Sequence, residues 1–121
     1  MFEVIVEATG RDLSDLWSKQ DPEALREAAR DLEVRFDPAW PIGKLMMEIF
    51  EQTTEKHLVE PTYVTGMPKE VSPLAKAHRS IEGFTEHADL IIGGVEIAPV
   101  YSELNDPAEQ QRRFEQQAAA R

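Results

Sequence analysis

Gly93-Gly94 lies between two apolar, β-prone runs, Leu90-Ile91-Ile92 and Val95-Glu96-Ile97. No other feature constrains the fold of this chain so tightly. A two-residue hairpin loop of type I′ needs positive φ at both central positions, and glycine adopts it without steric cost. The pair therefore predicts a tight antiparallel hairpin in which Ile92 faces Val95, Ile91 faces Glu96 and Asp89 faces Ala98. Alternate residues of a strand share a face. Asp89 thus joins Glu96 on one face as a diagonal neighbour, roughly 7–8 Å away at the backbone. On one unbroken strand, their spacing of seven would put them on opposite faces.

Glu103 stands a further seven residues beyond Glu96, so a regular strand would turn it to the far side. Pro99 intervenes. Proline cannot donate to a ladder and is found at edges and bulges. A bulge near Pro99 shifts the register by one residue. Pro99, Tyr101 and Glu103 then join the face of Asp89 and Glu96, giving an acidic floor with an aromatic wall. Carboxylates in an apolar segment are costly to bury unless a cation meets them: a metal, an ammonium group, or a paired Lys or Arg. The plainer reading is that these acids are solvated charges on an edge hairpin, a common device against aggregation. Spacing alone leaves both readings open. The site reading implies hard oxygen ligands, which suit Mg²⁺ and an associated nucleotide.

The run from Pro68 to Lys76, then Gly94-Val95-Glu96-Ile97, then Tyr101 to Pro107 occur in that order. Gly43 to Phe50, Pro61 to Thr65 and Gln110 to Phe114 add to them. Together these stretches resemble the class II lysyl-tRNA synthetases, over most of the chain from about Trp40 onward. The resemblance implies an α+β fold, part of the class II catalytic domain. It implies that Asp89 and Glu96 hold Mg²⁺ and ATP, that Glu103 receives the lysine ε-ammonium, and that Tyr101 forms an aromatic wall of the lysine pocket. It names no catalytic acid or base in this stretch. Three positions depart from the family pattern. Val95 stands where a basic residue is frequent, Asp89 where Glu is frequent, and Pro99 where an Asn usually makes a polar contact to the lysine. The matched region lies between the second and third class II motifs. The dimer-forming first motif, the two arginine-bearing motifs and an anticodon-binding barrel are not in it.

Length and charge agree with a part of a larger domain. The chain has 121 residues, 41% of them hydrophobic and 30% charged, with no cysteine. That is somewhat less apolar and more charged than a compact soluble domain. A formal charge of −10, without clustered Lys or Arg, argues against direct nucleic-acid binding by this stretch. The lack of cysteine excludes disulfides and thiolate metal sites and suits a reducing compartment, so the expected setting is the cytoplasm. No apolar run approaches a membrane span, and Met1-Phe2-Glu3-Val4 lacks the basic start of a signal peptide.

Helices are predicted mainly before residue 60, strands and the hairpin over 61–105, and a helix over 106–121. Phe2 to Ala8 reads as a short helix ended by Gly10, although alternation also permits a strand. Leu13, Leu16 and Trp17 suggest a further helical turn. Asp21 is a good N-cap with Pro22 at the first helical position, ahead of the stripe Leu25, Ala28, Ala29 and Leu32. Ile42, Leu45, Met46, Ile49 and Phe50 place a helix over about Pro41 to His57. Thr62 to Thr65 reads as a strand ending at Gly66, and Pro68 to Pro73 as a loop. Asp106-Pro107 starts the last helix. His57, His78 and His87 are not at ligand spacing and read as structural. Ser72 has no base near it in sequence, and Lys76 with Arg79 reads as a solvated basic pair.

The expected function is therefore that of a piece of a lysine–tRNA ligase. The parent activates lysine with Mg·ATP to lysyl-adenylate, passes it to tRNA(Lys), and is a homodimer. The stretch alone is expected to be inactive. Two other readings are a paralogue that transfers lysine to a protein or lipid, and a non-catalytic acidic module that binds cations or a partner.

Overall fold

The computed structural model describes the chain except residues 73, 80, 81, 103, 105, 120 and 121. Four helices come first: α1 (Phe2–Thr9), α2 (Ser14–Ser18), α3 (Pro22–Asp31) and α4 (Ile42–Thr53). Strands β1 (Thr62–Pro68), β2 (Phe84–Ile92) and β3 (Val95–Tyr101) follow and form an antiparallel sheet in the order β1-β2-β3. Helix α5 (Pro107–Ala119) comes last. This is the predicted α+β arrangement.

The helix ends obey local chemistry. Gly10 takes a left-handed conformation and its N–H closes α1 on the Val6 carbonyl at 2.7 Å. The Asp21 carboxylate accepts from the Ala24 N–H at 3.1 Å, a cap worth about 1 kcal/mol. Asp106 does the same for the Ala108 and Glu109 amides of α5. Helix α4 stops at Thr53, short of the predicted His57, and a single 3-10 turn takes up Glu55–His57. The Thr53 hydroxyl donates back to the Ile49 carbonyl at 2.5 Å, the kind of competing bond that weakens a helix from within.

Leu45, Met46, Ile49 and Phe50 on α4 are buried together with Leu25, Ala28 and Ala29 of α3 and with Val64 and Ile91 of the sheet. The rings of Phe2, Trp17 and Phe84 pack with centroids 4.9 to 6.4 Å apart, Trp17 stacked on Phe84 and Phe2 edge-on to Phe84, and tie α1 and α2 to the start of β2. Strand β1 does not end at Gly66 as predicted. It runs on to Pro68 through a register shift between Thr65 and Met67, which Gly66 allows with φ of 79°. A 3-10 turn at Lys69–Val71 replaces the predicted loop. The far face of the sheet leaves Tyr63, Ile92, Val95 and Val100 exposed.

The hairpin closes at Gly93-Gly94, with φ of 62° and 78° and with Ile92 opposite Val95. Its tip is docked: the Gly93 N–H donates to Val59 and the Gly94 N–H to Leu58, at 2.8 and 3.0 Å. Beyond Ile91↔Glu96 the register slips, and Asp89 faces Pro99 instead of the expected Ala98. The extra residue of the bulge is Ile97, two residues before Pro99, because Leu90 pairs with Ala98 while Ile91 pairs with Glu96. The slip has the expected consequence for the described residues: Pro99 and Tyr101 lie opposite Asp89 and His87.

Candidate functional site

On β2 the alternation of a strand puts Thr85, His87, Asp89 and Ile91 on the face turned to the helices. Asp89 is in the central strand, between Val64 and Pro99, and is 7% exposed. Glu96 shares that face from the end of β3 but is open to solvent. Both line a cleft of about 1050 Å³ whose other walls include Lys44 and Glu51 of α4, Ser72 and Gln117 of α5. Tyr101 is 42% exposed and stands beside His87, ring centroids 5.7 Å apart. The expected place of Glu103 on this face lies outside the described residues.

Carboxylates outnumber cations on the cleft wall: Glu48, Glu51, Glu70, Asp89 and Glu96 against Lys44 and Lys69. Glu55 is held above the usual carboxylate range by burial and then by Glu96 and Asp89. Glu51 is raised as well, by burial first and then by Glu48, Glu55, Glu96 and Asp89. Among the described residues, no ion pair joins Glu51, Glu55 or Glu96 to a Lys, Arg or His. The Lys44 ammonium lies over the Trp40 ring, 5.0 Å from its centroid. Glu70, also on the cleft wall, has a buried Oε2 with no hydrogen-bond partner among the described residues.

Ser72, set aside in the sequence for want of a nearby base, and His87, read there as structural, enter the site. The Ser72 hydroxyl is 2.7 Å from His87 Nδ1, and His87 Nε2 donates to Asp89 Oδ1 at 2.7 Å. The base that Ser72 lacks in its own neighbourhood is thus supplied by the fold, from a residue 15 positions away. His87 had a signal in the sequence: two residues before Asp89 in a strand, it shares the aspartate's face. Ser72 had none, because the turn after β1 carries it across. Arg113 is the third surprise. It is 3% exposed, pairs with Glu109 at 3.0 Å, and donates to the carbonyls of Ser72 and Ala75. Lys76 and Arg79 are both exposed, as their reading as a solvated pair expects, and Arg79 bonds Glu86 at 3.0 Å.

The donor set fits a hard divalent cation. Asp89 and Glu96 supply oxygen only, as Mg²⁺ prefers. Among the described residues, no group of three or more His, Cys, Asp and Glu is placed to hold a metal. Mg²⁺ does not need such a cage, for it keeps several waters and is commonly bound through one or two carboxylates plus substrate phosphates. No helix among the described residues is long and apolar enough to cross a membrane.

Comparison with known proteins adds a lineage to this geometry. The model of a family described as tRNA synthetases class II (D, K and N) matches residues 11–121. The lysine–tRNA ligase of Christiangramia forsetii is 43% identical over 117 residues, covering 97% of this chain and 20% of that protein. That of Lactiplantibacillus plantarum is 41% identical over 121 residues, covering 100% of this chain and 24% of the ligase. That of Xanthomonas axonopodis pv. citri is 46% identical over 101 residues, covering 84% and 20%. The chain spans about a fifth to a quarter of the length of the relatives it matches.

Proposed function

The chain belongs to the class II tRNA synthetases of the D, K and N group, and we propose that it is the part of a lysine–tRNA ligase that holds Mg·ATP and the lysine side chain. One observation carries the reading. Asp89 and Glu96 share a face at the floor of a cleft where Glu51 and Glu96 have no ion pair with Lys, Arg or His among the described residues and Asp89 meets only the His87 imidazole. Such a floor is costly unless something positive meets it.

In this reading Asp89 and Glu96 would supply the oxygen ligands of Mg²⁺, which would offset the charge of the ATP phosphates. Glu103 receives the ε-ammonium through a charge-assisted contact, and Tyr101 walls the pocket beside it. Pro99 removes a polar side chain from the lysine's surroundings, so side-chain selection rests on Glu103. The remaining groups needed for turnover, the arginines that meet the triphosphate, belong to other parts of such a ligase. In this reading the intact protein acts on lysine, ATP and tRNA(Lys) as a homodimer in the cytoplasm, and the tRNA is held mainly outside this acidic stretch.

A chimera tests the proposal. Residues 1–121 replace the matching stretch of the Lactiplantibacillus plantarum ligase, to which they align over 121 residues, and lysine-dependent pyrophosphate exchange is measured. The expected result is exchange that Asp89→Asn abolishes at low Mg²⁺ and that Glu103→Gln impairs through lysine KM. A folded, dimeric chimera that binds Mg·ATP but gives no exchange would favour a cation-binding module instead.

A further inference from the structure

We infer that Ser72 and His87 are positioning residues that hold Asp89 by Oδ1 and so present Oδ2 to a divalent cation in the cleft. The inference rests on the reading of Asp89 and Glu96 as cation ligands. It assigns roles to two side chains that make none of the proposed cation or lysine contacts.

The geometry is a chain of bonds anchored at both ends. A carboxylate only accepts, so His87 Nε2 carries a proton toward Asp89 Oδ1, and in the neutral ring Nδ1 then accepts from the Ser72 hydroxyl. Both contacts are 2.7 Å. The imidazole side chain is 14% exposed and that of Asp89 10%, so water competes little for either bond. The far end is fixed in turn. Ser72 donates its N–H to the Lys69 carbonyl, and its own carbonyl accepts from buried Arg113. Tyr101 closes the open side of the imidazole. A lone aspartate turns about its last bond with little preference. Here one oxygen is committed, and the other is left for the cleft.

Ser, His and Asp in sequence of contact also make a nucleophile triad. The observations favour holding over attack. Ser72 is 5% exposed, and its main chain is clamped between the turn and α5. Carboxylate ligands of metals are routinely held by such outer bonds, and loss of one typically costs 10–100-fold in affinity.

The test uses the full 121-residue chain and Mn²⁺ as the probe, with free Mn²⁺ read by electron paramagnetic resonance. Five variants are compared with the wild type: Asp89→Asn, Glu96→Gln, Ser72→Ala, His87→Ala and His87→Gln. His87→Ala is expected to weaken Mn²⁺ about 10-fold or more, Ser72→Ala less, and His87→Gln, which keeps an N–H donor, to recover part of the loss. Near-UV circular dichroism checks that each variant is folded. Should His87→Ala not fold, the wild type still decides: the ¹⁵N spectrum must place the imidazole proton on Nε2, and Mg²⁺ must shift that signal. A proton on Nδ1 alone, or no shift at saturation, overturns the inference. If Asp89→Asn and Glu96→Gln leave Mn²⁺ affinity unchanged, the cation reading itself fails and takes this one with it. If those two abolish binding while both His87 variants bind within about twofold of wild type, a loss below the range for outer-shell partners, only the positioning role is wrong.

Discussion

Helix α5 and the cleft beside it both carry acids, and they accommodate them in opposite ways. On α5, Glu109 is met by Arg112 at 2.6 Å and by Arg113 at 3.0 Å, and both hold its carboxyl below the usual Glu range. At the cleft, Glu51 is pushed above that range by burial and then by Glu48, Glu55, Glu96 and Asp89, and neighbouring Glu55 by burial and then by Glu96 and Asp89. A carboxylate answered within the chain is architecture. A set left unanswered at a concave site costs stability that a cation can return. The contrast separates structural acids from candidate ligands without reference to any relative.

The largest expected effect lies on the architectural side. Arg113→Met leaves Glu109 half-answered and takes the guanidinium donor from the Ser72 and Ala75 carbonyls, of which Ser72 keeps only the Ala75 N–H. It should cost about 2–4 kcal/mol, toward the cost of breaking a buried pair from one side. Glu96→Gln, on the other side, should be neutral or slightly stabilising, within about 0.5 kcal/mol. Urea unfolding of both variants measures the difference. Equal costs would erase the distinction.

The hairpin tip comes next, because it carries Glu96 to Asp89. Gly93 and Gly94 both have positive φ, but only at Gly94 would a Cβ press on the backbone, 2.9 Å from the Lys56 carbonyl oxygen. Gly93→Ala should cost about 1 kcal/mol, the strain of a left-handed residue, and Gly94→Ala about 2–3 kcal/mol. Thermal unfolding distinguishes them. A reversed order would mean that the tip is not seated as described.

Smaller still, and opposite in sign, are the pH effects. Glu51 and Glu55 bind their protons more tightly folded than unfolded. Their contribution to stability is present at low pH and is lost as pH rises through their raised values, above the ordinary 4.5. Glu109 is the reverse. Its contribution is present above 4.5 and is lost as pH falls through its lowered value. Subtracting the Tm-against-pH curve of Glu51→Gln from that of the wild type should give a falling slope, and Glu109→Gln a rising one. Slopes of one sign would break the comparison.

How much of this was legible in the sequence follows from the range of the interactions. The hairpin, the Asp21 and Asp106 caps and the α4 stripe are local, and they were read correctly because glycine, proline and a short acid act on their own neighbours. The bulge expected near Pro99 lies at Ile97, since Pro99 announces an irregular strand but the partner strand decides where the slip occurs. The Ser72–His87 contact and the Arg113 bonds to the carbonyls of Ser72 and Ala75 went unread for the same reason. Their partners are 15 and 38 or more residues apart and are brought together only by the turn after β1 and by α5. The common face of Asp89 and Glu96 was accessible because one local turn sets it.

The central claim is that Asp89 and Glu96 await a cation and Glu109 of α5 does not. The most direct test is a Mg²⁺ titration of the wild-type chain followed through the side-chain carboxyl ¹³C signals. The expected result is that Asp89 and Glu96 move together along one saturable curve while Glu109 stays still. Signals that all drift alike and without saturation, or that move at Glu109 as much as at Asp89, would contradict the account.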